Sequence, residues 1–322
     1  MKTLATLAML ALALPGHAHA ADKYPSRPVR VIVPYVAGGA ADITTRVVAQ
    51  KLSDRLGASF VVENKPGANG MIGTDFVAKA KPDGYTLLAD ASGPLVVNPS
   101  LYDKVPYDPV KDLVPVSQLT SYQYALVVPA ASPLRSLDDL VRTARAQPGK
   151  LSYGSAGIGA GGHLAGELLA LMSKTELTHV PYKGNAQALA DILGGQLSFT
   201  FDTIVTAVPH IHGGKLRAFA VSGPTRSPAL PDVPTMEELG YKGFHITQFQ
   251  GILAPAGTDA AIVRTLNDAV AAAMREPDVV KRLADEGGYE IVAGSPTDFG
   301  QLIATELGMY RRLIRDANIR MQ

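Results

Sequence analysis

The sequence contains no cysteine and no tryptophan, and its charges nearly cancel. Without cysteine the chain can form neither a disulfide bond nor a lipid attachment through a cysteine, so its core alone must hold the fold. The 30 basic and 29 acidic residues leave a net charge of +1. Nucleic-acid binding usually needs a clustered basic excess. We therefore expect no nucleic-acid partner.

Residues 1–20 have the layout of a cleavable secretory signal. Lys2 precedes an apolar run at residues 4–14, and the small-residue pattern Ala18-His19-Ala20 follows. The run is about half of the roughly 20 residues that a membrane anchor needs. We predict cleavage near Ala20 and export to a bacterial periplasm. Once Lys2 is removed with the leader, the two signs of charge balance.

Beyond the leader, short β-rich runs alternate with helical patterns, which predicts an α/β fold with parallel sheets built from βαβ units. The predicted strands are 29–33, 60–62, 86–89, 124–128, 151–154, 179–181, 197–201 and 216–221. The predicted helices are 43–56 (ended by Gly57), 136–146, 164–172, 186–193 and 259–275, followed by helices at the C-terminal end.

The strand runs near residues 124 and 217 bracket a middle block of about a hundred residues, which is a common size for one domain. We interpret this block as a domain inserted into another domain. Domain 1 then comprises residues 21–122 and 223–322, and domain 2 comprises residues 123–222. Two crossover strands would act as hinges.

Two glycine-rich junctions between a strand and a helix are the main candidates for a binding site. A strand that ends in glycines before a helix presents free backbone N–H groups at the positive end of the helix dipole, which suits an anion. One junction in each half predicts an anion held between two domains. The candidate residues of the two junctions are Tyr35, Gly38, Gly39, Ala40 and Asp42, and Ser155, Ala156, Gly157, Gly159 and His163.

Several of these residues also have a structural alternative. The pair Gly38-Gly39 could form only a tight turn, and Asp42 is favoured as a helix N-cap. Asp202 follows the apolar 197–201 strand, at an edge where open α/β sheets bind ligands. It could instead cap the helix near Val205.

Enzymatic alternatives find little support in the sequence. No Gly-x-Ser-x-Gly elbow, Walker loop or His-Glu-x-x-His motif occurs, and His163 lacks a nucleophile with an orienting partner. The pair His210 and His212 lacks the acidic or cysteine neighbour of a metal site. We therefore expect no metal, no cofactor and no catalysis. The enzymatic alternative is a secreted α/β hydrolase with His163 and Asp202 as its acid–base pair.

Motifs in order along the whole mature chain resemble the Bug family, the periplasmic receptors associated with tripartite tricarboxylate transporters. They include Tyr24-Pro25, Glu63-Asn64-Lys65-Pro66-Gly67, Pro82-Asp83-Gly84-Tyr85, His179-Val180-Pro181-Tyr182 and Leu230-Pro231-Asp232-Val233-Pro234. The resemblance implies a two-domain Venus-flytrap fold of type II-like topology. It also implies a small organic acid in the interdomain cleft, gripped by backbone amides and ordered waters.

The resemblance implies a receptor that hands its solute to inner-membrane subunits of a tripartite transporter, and we expect a monomer. A sensor that passes the signal to a membrane kinase is the alternative. Ala40-Ala41 and Phe249 depart from the family pattern, which commonly has a hydroxyl or glycine and a tryptophan there. Both departures favour a less polar ligand or one bound mainly through its carboxylate. Beyond the two junctions, the candidate ligand-binding residues are Ser92, Tyr182, Asp202 and Phe249.

Overall fold

The computed structural model describes residues 24–182 and 184–320. The predicted signal at residues 1–20 and its cleavage point lie outside these residues. Within the described part, none of the helices combines the length and the apolar character needed to cross a membrane.

Ten strands and ten α-helices alternate through the described part of the chain. The strands are β1 (Val29–Val33), β2 (Phe60–Asn64), β3 (Thr86–Ala91), β4 (Leu113–Pro129), β5 (Ser152–Ser155), β6 (Thr178–Pro181), β7 (Phe199–Thr203), β8 (Leu216–Val221), β9 (Thr247–Pro255) and β10 (Glu290–Ile291). The helices are α1 (Ala40–Leu56), α2 (Met71–Ala78), α3 (Asn98–Leu101), α4 (Leu137–Ala146), α5 (Gly161–Ser173), α6 (Asn185–Leu193), α7 (Ile204–His212), α8 (Ala260–Ala273), α9 (Pro277–Val280) and α10 (Pro296–Asp316).

The strand β4 belongs to two sheets and connects them. Its first part, up to Gln123, pairs with β9, and its second part, from Tyr124 onward, pairs with β7 and β8. The first sheet contains the parallel strands β2, β1 and β3, and the second contains the parallel strands β5, β6 and β7. The predicted α/β class with parallel βαβ units is therefore confirmed, and antiparallel strands complete both sheets.

The two connections between the sheets differ in structure. The first is the continuous strand β4, which contains the predicted strand 124–128 and begins eleven residues before it, at Leu113. The second is residues 222–246, which contain no strand apart from a bridge between Val221 and Thr235. Ser222 anchors this connection, because its hydroxyl donates to the carbonyl of Ile246 (2.6 Å) and accepts from the N–H of Tyr124 (2.9 Å).

The sequence of helix α1 explains both its packing and its end point, and α1 is one of the elements that position the candidate site. Its apolar residues Val48, Ala49 and Leu52 are buried against the first sheet. Gly57 ends the helix at φ 71°, a left-handed conformation that glycine adopts without strain. Because the apolar face of α1 is buried and the helix ends at Gly57, its N-terminus, capped by Gly39, lies at the carboxyl end of β1.

Candidate ligand-binding site

The N-terminus of α1 carries no side-chain cap. Gly39 occupies the N-cap position at φ −78° and ψ 168°, without a side-chain hydrogen bond to the first turn. Within residues 24–182 and 184–320, the Gly39 N–H has no hydrogen-bond acceptor. The first N–H groups of a helix also lack intrahelical partners. This end of α1 can therefore receive an anion.

Asp42 stabilises the first loop from the side and does not cap the helix. Its carboxylate accepts hydrogen bonds from the N–H of Gly38 (2.9 Å), from Arg46 (3.0 Å) and from Asn64 (2.9 Å). The bond from Arg46, followed by those from Gly38 and Asn64, lowers the pKa of Asp42 to about 2. The predicted N-cap role is wrong, because Gly39 holds that position and Asp42 is two residues inside the helix.

Tyr35 is fixed from two directions. Its carbonyl accepts from Asn64 (3.0 Å), and its hydroxyl donates to Asp90 at the end of β3 (3.2 Å). Asp90 also accepts from the Thr74 hydroxyl (2.7 Å) and from the N–H of Ala91 (2.8 Å). Burial raises the pKa of Asp90 to about 7, although all three hydrogen bonds oppose this shift. Sequence analysis missed Asp90. It could have been found as an acidic residue near the carboxyl end of a predicted parallel strand.

The second loop leads into α5, whose N-cap residue Ala160 likewise provides no side-chain cap. The His163 Nδ1 accepts from the N–H of Gly159 (3.0 Å), and the Ser155 hydroxyl accepts from the N–H of Gly157 (3.2 Å). These two loop amides are therefore used inside the loop. The N–H groups that remain for an anion are those of the first turn of α5, beginning at Gly161.

Two stacked histidines support the second loop. The rings of His163 and His179 lie 4.0 Å apart, and the His179 Nε2 is 2.7 Å from the Ser155 hydroxyl oxygen. Burial lowers the pKa of His163 to about 3 and that of His179 to about 4. Both rings are therefore neutral at pH 7. His163 is engaged in holding Gly159, a structural contact next to the candidate site.

Glycine is required in the second loop because other parts of the protein approach it closely. A Cβ on Gly161 would lie 2.2 Å from the Tyr124 Oη, and a Cβ on Gly159 would lie 2.4 Å from the Leu101 Cδ2. Gly159 also has φ 79°. Leu101 follows β3 in the first half of the chain, so this loop of the second sheet packs directly against the part that carries the first loop.

Two tyrosines of β4 and one tyrosine from each of two other segments form a row that joins the two loops. We call Tyr35, Tyr122, Tyr124 and Tyr289 the tyrosine row. The Tyr122 ring lies 6.0 Å from that of Tyr124 and 5.7 Å from that of Tyr289. Tyr122 is also close enough to Tyr35 to contribute to the raised pKa of that hydroxyl. Sequence analysis missed Tyr122 and Tyr289 and identified Tyr124 only as the start of a strand.

Asp202 lies on β7, one residue before the strand ends. Its carboxylate accepts from the Thr206 hydroxyl (2.8 Å), and Thr203 occupies the N-cap of α7. The predicted capping alternative is therefore wrong. Burial is the largest cause that raises the pKa of Asp202 to about 6. The Asp202 charge also raises the pKa of Tyr124, which places Asp202 near the tyrosine row.

The raised pKa of Asp202 predicts a pH-dependent effect of the substitution Asp202→Asn. The folded protein binds this proton more tightly than the unfolded chain. The protonated Asp202 carboxyl therefore contributes its full stabilisation below about pH 4, the pKa of this group in the unfolded chain. This stabilisation is lost as the pH rises through about 6, the pKa in the folded protein. The asparagine variant lacks this loss. The free energy of unfolding of the variant minus that of the wild type should therefore increase between pH 4.5 and 7.5, by up to about 1.4 kcal/mol per pH unit.

Urea denaturation of both proteins at the two pH values measures this difference. Contributions from His163, His179 and Asp90 largely cancel in the comparison of variant and wild type, because both proteins carry these groups. An equal difference at pH 4.5 and 7.5 would contradict the raised pKa of Asp202.

The side chains of three other candidate residues contact other residues of the protein. The Ser92 hydroxyl accepts from the N–H of Phe249 (2.9 Å). The Phe249 ring is 1% exposed and packs edge-on against Phe299 at 5.4 Å. The Tyr182 hydroxyl donates to Asp191 (2.5 Å) on α6. Their contact with a ligand remains a prediction. Within the described residues, no group of three or more histidine, aspartate or glutamate side chains could hold a metal ion.

A model of the family described as "Tripartite tricarboxylate transporter family receptor" matches residues 44–319. Protein BugT of Bordetella pertussis is 38% identical over 303 residues, which cover 94% of this chain and 93% of BugT.

Two solved structures from Rhodopseudomonas palustris are similar to this chain. One, with adipate, has a TM-score of 0.77 at 34% identity and covers 92% of this chain and 99% of its own. The other, MatC with bound malate, has a TM-score of 0.74 at 32% identity and covers 90% of this chain and 100% of its own. The predicted two-domain periplasmic binding protein fold is confirmed by these similarities.

Proposed function

The chain belongs to the tripartite tricarboxylate transporter receptor family, whose members are periplasmic solute-binding receptors, and from this we propose that it captures a small organic carboxylate between its two domains. It then delivers the solute to the inner-membrane subunits of a tripartite tricarboxylate-type transporter. The observation that carries this proposal is the pair of glycine-rich strand-to-helix junctions before α1 and α5, one in each half of the chain, where the helix N-terminus has no side-chain cap. The relatives solved with adipate and malate support a carboxylate as the ligand.

We propose that the ligand carboxylate binds the N–H groups of Gly39 and Ala40 on one side and those of Gly161 and Gly162 on the other. Partial positive charge at both helix ends stabilises the anion without a side-chain cation. Ligand that bridges both loops favours the closed form of the protein, in which the two loops are near each other. The protein acts as a monomer and catalyses no reaction.

We propose the same domain boundaries as those derived from the sequence, with residues 123–222 as domain 2 and residues 21–122 and 223–322 as domain 1. The change of strand partners between Gln123 and Tyr124 supports the first boundary. We also propose that residues 1–20 are a signal peptide, which agrees with the periplasmic location of the family.

We expect a small mono-, di- or tricarboxylate to bind at one site per chain and to raise the melting temperature. At a ligand concentration of 100 times the dissociation constant, mass action should add about 2.7 kcal/mol to the free energy of unfolding. Isothermal titration calorimetry is the suitable assay, because the chain has no tryptophan for fluorescence.

The control for this experiment is the primary amide of the best-binding acid. The amide has a similar shape but no charge, so it should bind much more weakly than the acid. If the amide binds as tightly as the acid, the helix N-termini do not grip a carboxylate and the proposed mode of binding is wrong.

A further inference from the structure

Two buried polar side chains beside the tyrosine row have hydrogen-bonding atoms that the protein does not use. Thr120 on β4 lies directly opposite Gln250 on β9. Thr120 is fully buried and Gln250 is 4% exposed. In the part of the chain that the structure describes, neither the Thr120 Oγ1 nor the Gln250 Oε1 has a hydrogen-bond partner. A buried polar atom without a partner is costly, and such atoms frequently mark a functional contact.

The position of this pair connects it to the candidate site. The Gln250 side chain lies close enough to the Tyr289 hydroxyl to influence its pKa, and the Tyr289 ring packs edge-on against Tyr122. Thr120 and Tyr122 are two residues apart on β4, so they lie on the same face of the sheet. From Tyr122 the row continues to Tyr124, whose hydroxyl lies beside Gly161. Thr120 and Gln250 therefore extend the surface that begins at the N-terminus of α5.

The neighbouring strand places the pair next to the first loop as well. Ala91 on β3 pairs with Gln250, and Tyr122, on the same face of β4 as Thr120, is close enough to Tyr35 in the first loop to contribute to the raised pKa of its hydroxyl. The free atoms of Thr120 and Gln250 are thus in the same region as both loops. They are separate from the backbone N–H groups that we assign to the carboxylate.

We propose that Thr120 and Gln250 are specificity-determining residues that hydrogen-bond the end of the solute opposite its carboxylate. This inference rests on the proposed function, because it assumes that one end of the solute is held at the helix N-termini. The solute class is then an acid with a second hydrogen-bonding group, a hydroxyl or another carboxyl, at its far end. A simple alkyl acid would leave both protein atoms buried without a partner. Sites with buried hydrogen-bonding groups reject such analogues strongly.

The test uses acids that differ only at the far end. One set is hexanoate, 6-hydroxyhexanoate and adipate, and a shorter set is butyrate, 4-hydroxybutyrate and succinate. Calorimetry with the wild-type protein should show that the best polar-ended acid binds at least tenfold more tightly than the alkyl acid of the same length. Thr120→Val and Gln250→Met conserve side-chain volume while removing the free polar atoms. Each should weaken the polar-ended acids at least fivefold and change the alkyl acid less than twofold.

The matched control is Ser121→Ala, which alters the neighbouring residue on the opposite face of β4, where the hydroxyl donates to Glu290. It should leave the ranking of the acids unchanged. The melting temperature of each ligand-free variant shows whether it folds. If Gln250→Met does not fold, Gln250→Glu provides a second test, because it should weaken the dicarboxylate more than the hydroxy acid through like-charge repulsion.

Equal losses for alkyl and polar-ended acids, or no loss at all, would overturn the proposal and leave the proposed function intact. If no acid of either set binds the wild-type protein, the inference and the proposed carboxylate ligand both fail. A change in ranking that is confined to the polar-ended acids supports the inference.

Discussion

Replacing Gly39 with proline is expected to weaken carboxylate binding at least tenfold, about 1.4 kcal/mol, in a protein that still folds. Proline fixes φ near −65° and removes the backbone N–H. Gly39 already has φ −78°, and the nearest atom to an added Cβ is the Val36 carbonyl oxygen at 3.6 Å. The substitution therefore removes one hydrogen-bond donor, at a φ that proline accepts and with room for its Cβ. That donor has no acceptor within the described part of the chain.

The matched control is Gly39→Ala, which adds the same Cβ but keeps the N–H. Alanine should bind the best acid within about twofold of wild type, and both variants should melt near the wild-type temperature without ligand. Calorimetry with a single acid compares all three proteins. If the proline variant folds and binds as tightly as the alanine variant, the Gly39 N–H does not contact the solute and the first loop is not part of the anion site.

The sequence located the two loops because local rules determine them. Glycines after a predicted strand and before an amphipathic helix require no knowledge of distant residues, and Gly57 as the stop of α1 follows the same kind of rule. The strands of the two parallel units were also predictable, since each is a short β-rich run bounded by turn residues. Their observed bounds differ from the predicted ones by one or two residues at most positions.

The antiparallel strand β9 and the first part of β4 were harder to predict. The first part of β4 contains Pro115, and its pairing with β9 shifts register at two points. β9 begins with the polar residues Thr247, Gln248 and Gln250, so it lacks a plain apolar run. Gln250 is buried and Thr247 and Gln248 are half-buried, because β9 and β4 lie in the middle of the combined sheet. That position depends on the whole topology and has no local signal.

Sequence analysis missed most of the tyrosine row and the neighbouring Gln250 for a related reason. Tyr122, Tyr289 and Gln250 are distant in the sequence and meet only through the pairing of β4 with β9 and β10. Asp90 could be recognised as an acid at a strand end, but its bond to Tyr35 requires the three-dimensional structure. Gly157 illustrates the opposite case. The sequence predicts its N–H as an anion donor, whereas the structure shows that it donates to Ser155.

Replacing Gly161 with alanine should disrupt the second loop, and the expected effects are a loss of affinity of at least tenfold and reduced stability. The added Cβ would lie 2.2 Å from the Tyr124 Oη and 2.5 Å from its Cζ. Tyr124 is only 5% exposed and lies in the centre of β4, so it cannot move aside easily. Overpacking of this kind typically costs about 1–3 kcal/mol. The start of α5 would have to shift, and its N–H groups would shift with it.

The substitution Tyr124→Phe removes the hydroxyl, which is the atom closest to the added Cβ. In the double variant Gly161→Ala/Tyr124→Phe, part of the lost affinity should return, because the remaining ring atoms lie at 2.5 and 2.7 Å. A double-mutant cycle that uses melting temperatures and calorimetric affinities separates this steric coupling from the separate effect of losing the hydroxyl. If the Gly161→Ala protein is stable and binds the best acid like wild type, the N-terminus of α5 does not hold the solute. The anion would then be bound by the first loop alone.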